Sequence, residues 1–214
     1  MLQDDKPIAV LGATGYIGGR LVPRLLGARH SVRVLVRDPE RIAGRTWADE
    51  VEVVVGDVED AASLEVACDG VDVAYYLVHL MDSGGDFAER DRAAAENFVA
   101  AGSGLKRVIY LGGLVPRAET VSRHLASRAE VGEILRAGLP TVEFRAGPVI
   151  GSGSASFEMV RYLTERLPAM IAPRWILNQV QPVSVRDILA YLLAALEGGS
   201  EGVYDVGCES LSFK

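Results

Sequence analysis

The sequence predicts an α/β fold, a doubly wound parallel sheet with a small C-terminal lobe, and three observations carry that prediction. Short β-branched runs alternate with Ala-, Leu-, Glu- and Arg-rich stretches along most of the chain, the rhythm of βαβ units feeding a sheet buried on both faces. A glycine-rich turn follows the first apolar run directly and opens a helical stretch. After Arg145 the rhythm changes to Gly-, Ser- and Pro-rich sequence.

Taken in order, strands are expected over residues 7–11, 31–36, 51–55, 71–77, 107–111 and 141–145, each short, apolar and mostly β-branched or aromatic. Helices are expected between them over 16–26, 61–67, 87–100 and 120–135. Ala101-Gly102 and Ala137-Gly138 close two of these helices, where glycine admits a left-handed residue at little steric cost. Gly147-Pro148-Val149-Ile150-Gly151-Ser152-Gly153-Ser154 reads as a flexible loop. A helix near 156–167 and a Pro-rich, partly aromatic stretch over 168–182 follow. Ser184 is a suitable N-cap for an amphipathic helix over 185–196, and 203–206 is a last short strand. The chain is read as a single domain over 1–214, with residues 147–182 and 203–214 contributing the small lobe.

Composition narrows the function classes. The formal net charge is −7, and lysine occurs only at Lys6, Lys106 and Lys214, so the bulk field repels nucleic-acid backbones and acidic lipid surfaces. Two cysteines, Cys68 and Cys208, are too few for a disulfide framework and form no C-x-x-C pair. The N-terminus lacks a basic segment followed by a long apolar one, and no apolar run approaches a membrane span. A cytoplasmic, soluble protein with no nucleic-acid or membrane partner is expected, with a small molecule as its substrate if it has one.

Gly12-Ala13-Thr14-Gly15-Tyr16-Ile17-Gly18 is the most informative segment. Gly12 permits a sharp turn, Gly15 removes the Cβ that would block a pyrophosphate, and Gly18 lets the helix pack on the sheet. The helix start then offers unpaired N–H groups and partial positive charge to phosphates. The second strand ends Val36-Arg37-Asp38, where a carboxylate would read a free ribose 2′-hydroxyl and an arginine a 2′-phosphate. Arg37 favours NADP, with NAD the alternative that the adjacent Asp38 keeps open. Asp57 in Gly56-Asp57-Val58 is either an acceptor for an adenine amino group or part of a nearby helix cap.

Together with Arg145-Ala146-Gly147-Pro148-Val149, these segments resemble the atypical extended short-chain dehydrogenase/reductases, and within them the NAD(P)H-binding, NmrA-like and YbjT-like bacterial members. The resemblance covers nearly the whole chain and is most specific over 122–156. It implies a Rossmann-type sheet of about seven parallel strands, with the C-terminal segment as a substrate lobe. It also implies a cofactor contact set: Gly12, Thr14, Gly15, Tyr16, Ile17 and Gly18 in the loop, then Arg37, Asp57 and Val58, then Leu77, His79, Arg128 and Pro148. Pairing through the helices over 87–100 and 120–135 would give a homodimer.

Ordinary members of the family carry Tyr-x-x-x-Lys on the helix after the fifth strand and Ser at that strand's end. Here the resemblance places Arg128 at the lysine position and His124 at the tyrosine position, while the serine position falls in Leu111-Gly112-Gly113. Arg128 can bond ribose hydroxyls but stays charged and cannot shuttle a proton. His124 titrates in the right range for general acid–base work, with Arg128 lowering its pKa, or else is a helix-surface residue. Tyr110, inside the fifth strand, cannot substitute.

His79, after the fourth strand, is a contact to ribose or substrate, or an ordinary loop histidine. Asp82, Asp86, Glu89 and Asp91 suit a helix N-terminus better than a metal site, and no metal is expected. Met159, Tyr162, Leu163, Leu167 and Met170 line an apolar pocket or the lobe's own core, and Trp175 belongs to a lid or an interface. Two functions fit: an NADPH-dependent oxidoreductase acting on a small apolar carbonyl or quinone-like compound, and a dinucleotide-sensing regulatory or assembly module without turnover. A scaffold with a vestigial loop is a third.

Overall fold

The computed structural model describes residues 6–80, 87–116, 121–154, 157–158, 161–162, 165 and 179–212. Its centre is a seven-stranded parallel sheet of β1 (Ile8–Leu11), β2 (Val32–Val36), β3 (Glu52–Val55), β4 (Val73–Tyr76), β5 (Arg107–Gly113), β6 (Thr141–Ala146) and β10 (Gly202–Val206). Their spatial order is β10-β6-β5-β4-β1-β2-β3. β1 pairs with β2 on one side, Ile8 opposite Val32, and with β4 on the other, Ile8 opposite Val73. The chain therefore reverses its direction of travel across the sheet beside β1, and side chains of the two strands leaving that point open a crevice at their carboxyl ends.

Burial on both faces explains the near-continuous apolar strands, and the two-residue period divides them between two cores. Val10, Val34, Tyr75 and Ile109 join Leu21 and Leu25 of α1 (Gly18–Gly27) and Ile188 and Leu192 of α6 (Val185–Glu197) on one face. Leu11, Leu35, Tyr76 and Tyr110 meet α3 (Ala61–Cys68), α4 (Phe87–Ala101) and α5 (Arg123–Gly138) on the other, with Leu64, Phe98 and Leu135. Burying a side chain of this size stabilises the fold by about 1.5–3 kcal/mol each before chain entropy is charged. Tyr76 packs its ring against Phe98 at 5.0 Å and Tyr110 at 6.1 Å. Tyr75, buried, donates its hydroxyl to the Leu192 carbonyl at 2.8 Å and so fastens α6 to the sheet.

Most elements fall where the sequence puts them, and the departures have identifiable causes. α1 begins at Gly18, after the glycine turn, and carries Pro23 within it. α5 begins at Arg123 because Ser122 is the cap, its hydroxyl accepting from the Leu125 N–H. Ser184 caps α6 in the same way through the Asp187 N–H. Gly102 and Gly138 are not left-handed: neither is among the residues of positive φ. Their requirement is space, since a Cβ at Gly102 would sit 2.9 Å from the Phe98 carbonyl oxygen and one at Gly138 would strike Val99.

The glycine-rich run after β6 is not wholly loop. Val149–Ile150 forms β7, parallel to β9 (Val183–Ser184), and Gln179–Val180 forms β8, antiparallel to β11 (Leu211–Ser212). Gly202–Val206 runs beside β6 as the seventh strand of the large sheet, although the sequence reading gave residues 203–214 to the lobe. The helix expected near 156–167 and the stretch over 168–178 lie largely outside the described residues, as do Met159, Leu163, Leu167, Met170 and Trp175. Tyr162 is described and exposed. None of the described helices is long and apolar enough to cross a membrane.

Candidate functional site

The turn from β1 into α1 builds one wall of the crevice from backbone. Gly12 has φ +94°, a conformation costly for any side chain, and a Cβ there would lie 2.6 Å from the Leu77 carbonyl oxygen at the end of β4. The Gly15 N–H donates to the Gly12 carbonyl at 3.0 Å, tightening the turn. A Cβ on Gly18 would fall on the Gly12 carbonyl, so Gly18 serves the turn's own closure more directly than the packing of α1 on the sheet. Gly15, exposed, has only the Gly12 carbonyl oxygen near its Cβ position, at 3.2 Å, so its missing side chain leaves open space on the crevice side. α1 starts with no side-chain cap, and contrary to the expected run of unpaired N–H groups, the Gly19 N–H donates to the Gly15 carbonyl at 3.0 Å while the Arg20 and Leu21 N–H groups donate to the Ile17 carbonyl.

The crevice is a cleft of about 470 Å³. Gly12, Thr14, Gly15, Tyr16, Ile17 and Gly18 line it, as do Arg37, Asp57, Val58, Leu77, His79 and Arg128. The structure thus brings together every expected cofactor contact except Pro148, which is not part of the lining; its carbonyl accepts from the Val183 N–H at 3.1 Å where β9 joins β7. Sequence reading missed Arg41, also in the lining, which sits on the short helix that follows Arg37 and whose one visible signal is a second arginine four residues on.

At one end of the cleft Arg37 and Arg41 line the wall, and Arg37 faces a carboxylate. Arg37 Nη1 stands 3.9 Å from Asp57 Oδ2, and Asp57 Oδ1 accepts the Glu59 N–H at 3.1 Å. Asp57 is therefore a turn acceptor; the cap of α3 is Asp60, which takes the Ser63 N–H. Asp38 is turned to the start of α2 (Glu40–Ala43), where it accepts the Glu40 N–H at 3.0 Å, and it does not line the cleft.

At the opposite end the side chains of the β4 and β5 termini meet α4 and α5. Arg128 donates through Nη2 to the Leu111 carbonyl at the end of β5, and Tyr110 donates its hydroxyl to the Arg128 carbonyl at 2.9 Å. The rings of His79 and His124 pack edge to face with centroids 4.4 Å apart. Of the two, His79 is among the residues that line the cleft and His124 is not, touching it through the His79 ring. Asp91, buried on α4, accepts the Leu80 N–H at 3.1 Å and the Ser127 hydroxyl at 3.0 Å, and its Oδ2 is 3.8 Å from His79 Nδ1.

Burial, then Arg128, then the neighbouring His124 push the His79 imidazole down to about 3, so its ring is neutral at physiological pH. His124 is lowered by burial and Arg128, with Asp91 opposing. Asp91 was legible only as one acid in a helix-start cluster; Asp82 and Asp86 lie outside the described residues, while Glu89 is exposed and Asp91 is turned inward.

A buried ion-pair group lies beneath this end. Glu143, on β6 and 1% exposed, pairs with Arg136 of α5 and with Arg145 Nε at 2.8 Å. Gly132 and Gly112 leave the room for it, since a Cβ would meet a Glu143 carboxylate oxygen at 2.6 Å and 3.0 Å respectively.

The NmrA-like family model matches residues 4–147. Ceramide reductase of Caulobacter vibrioides is 32% identical over 199 residues, covering 87% of this chain and 60% of that protein. The 3 beta-hydroxysteroid dehydrogenase/Delta 5-->4-isomerase of Mycobacterium tuberculosis is 27% identical over 105 residues, 49% of this chain and 28% of that protein. The chain thus spans under two thirds of the length of these curated relatives. Among solved structures, the dTDP-glucose 4,6-dehydratase DesIV of Streptomyces venezuelae, with NAD bound, superposes with a TM-score of 0.79 at 19% identity, over 96% of this chain and 77% of that one. A short-chain dehydrogenase/reductase superfamily protein from Agrobacterium tumefaciens with bound NAD gives 0.74 at 19% identity, over 96% and 79%. These superpositions share the seven-stranded parallel fold, and the family match extends from before β1 through the end of β6. The chain belongs to the NmrA-like family of atypical extended short-chain dehydrogenase/reductases.

Proposed function

We propose that this protein binds a nicotinamide dinucleotide, NADP in preference to NAD, and reduces an apolar carbonyl or quinone-like compound. The glycine turn fits the group: Gly12 holds a backbone conformation that brings the turn against β4, and Gly15 leaves open the space a pyrophosphate needs. The observation that carries the choice of NADP is the pair Arg37 and Arg41 on the cleft wall, with Asp38 engaged at the α2 start. A 2′-phosphate there would accept charge-assisted hydrogen bonds from guanidinium groups that a free ribose hydroxyl could not match. The apolar carbonyl reading draws support from the 32% identity with ceramide reductase.

When bound, the dinucleotide supplies the hydride. Arg128, held by the Leu111 carbonyl, presents its remaining N–H groups to ribose hydroxyls at the cleft wall. His124 gives a proton to the substrate oxygen as the carbonyl carbon gains hydride, leaving an alcohol and a neutral imidazole that regains its proton from solvent. Leu77 and Val78 supply apolar wall beside His79.

The test is calorimetric titration with NADPH and NADH, then loss of nicotinamide absorbance with a panel of apolar ketones and quinones. NADPH is expected to bind more tightly, and Arg37→Ala to weaken it by about 1–3 kcal/mol while changing NADH little. Equal losses for both cofactors would sink the 2′-phosphate reading. A second reading, dinucleotide sensing without turnover, is favoured by the absence of His124 from the described cleft lining. Binding with no turnover across the panel would put it first.

A further inference from the structure

We propose that Asp91, His79 and His124 form a carboxylate–imidazole–imidazole array in which Asp91 and His79 are positioning residues that set the tautomer and proton affinity of His124. The proposal rests on the reading of His124 as proton donor. It joins three distant parts of the chain: the loop after β4, the first half of α4 and the first turn of α5.

Asp91 is 5% exposed, and its two known donors, the Leu80 N–H and the Ser127 hydroxyl, are both neutral. A buried carboxylate with neutral donors favours any positive charge that can form nearby. His79 is the ring beside it, and both His79 nitrogens are buried without a hydrogen-bond partner. Buried imidazole nitrogens rarely stay unpaired, because each loses its water without replacement. In the array the Nδ1–H of His79 is directed at Asp91 Oδ2, which stands 3.8 Å away and also accepts the Ser127 hydroxyl. Nε2 of His79 then carries the lone pair and is the acceptor for an N–H of His124, whose ring is already packed against it.

That arrangement fixes which His124 nitrogen bears the shared proton and frees the other for the substrate oxygen. The charged groups acting on the two rings are Asp91 from α4 and Arg128 from α5; the buried hydroxyls of Tyr76 and Tyr110, from β4 and β5, feel the same two charges. Burial keeps both phenols protonated, so Asp91 and Arg128 are the charges in opposition. Asp91 raises the proton affinity of His124 and Arg128 lowers it. Ser127 and Leu80 hold Asp91 in place, so its effect does not depend on a mobile side chain.

The test uses histidine NMR in the protein without added dinucleotide, where His30 at the far end of α1 serves as an internal control. In Asp91→Asn the His124 titration midpoint should fall by about one pH unit, because the charge that favours imidazolium is gone. The alkaline limb of any turnover profile, where the proton donor is lost, should move down with it, while His30 stays fixed. In His79→Gln the nitrogen shifts of His124 should move from a single tautomer toward a mixture. Should Asp91→Asn fail to fold, His79→Gln decides alone. An unmoved midpoint in folded Asp91→Asn, or an unmoved tautomer in His79→Gln, overturns the array. If both respond as expected while no panel compound oxidises NADPH, the array stands and the catalytic reading falls.

Discussion

The two ends of the cleft are made of different materials. Up to the end of β3, the wall is a glycine turn, a helix start and strand termini with the exposed Arg37 and Arg41 beyond them, and no polar or charged side chain among the described residues of that part is buried. Every buried polar or charged side chain that is described, Asp72, Asp91, Ser127, Thr141, Glu143 and Ser154, lies from Asp72, the residue before β4, onward. Backbone groups need no partner chosen from far along the chain, whereas buried charges do. The first end is therefore specified by local spacing, and the second by pairings that appear only when the sheet has assembled.

The sharpest way to test that contrast is to remove one charge. Glu143→Ala leaves Arg136 and Arg145 without the buried carboxylate between them, and should destabilise the protein by about 3–5 kcal/mol in denaturant unfolding. A loss under about 1 kcal/mol would mean the guanidinium groups reach water easily, and that the second end is less committed to buried charge than its geometry indicates. Gly12→Ala attacks the first end through its backbone. It forces an L side chain to φ +94° against the Leu77 carbonyl, and should cost about 1–3 kcal/mol as well as dinucleotide affinity.

Gly15→Val separates space from strain. Gly15 has no positive φ and little around its Cβ position, so stability should change by only about 0.5–1 kcal/mol while calorimetry shows dinucleotide binding lost. Retained affinity in this variant would remove the glycine turn from the site and break the comparison.

The same contrast explains what the sequence revealed. The fold class, the parallel order through β6 and the glycine turn follow from periodicity and from one seven-residue segment, so they were readable without tertiary knowledge. Arg37 was readable from its position at a strand end and Arg128 from the family resemblance, and both reach the cleft. Pro148 was placed by resemblance alone, and the β7–β9 pairing draws its carbonyl elsewhere. Gly102 and Gly138 were read through their conformational freedom when their role is to admit Val99 and the Phe98 carbonyl, contacts invisible without the packed helices. The meeting of His79 with His124 and Asp91 spans three elements, and nothing in local sequence announces it.

The pairing of β1 with both β2 and β4 has a consequence for how binding would register in experiments. The cleft does not exist until β4 has docked, because the turn at Gly12 is closed by the Leu77 carbonyl and His79 follows directly. A partly opened molecule with β4 displaced retains the glycine segment but has lost the opposite wall. Dinucleotide therefore favours the fully closed sheet over such sub-global openings, and amide exchange in β4 and β5 should slow with ligand as much as exchange in the glycine turn itself.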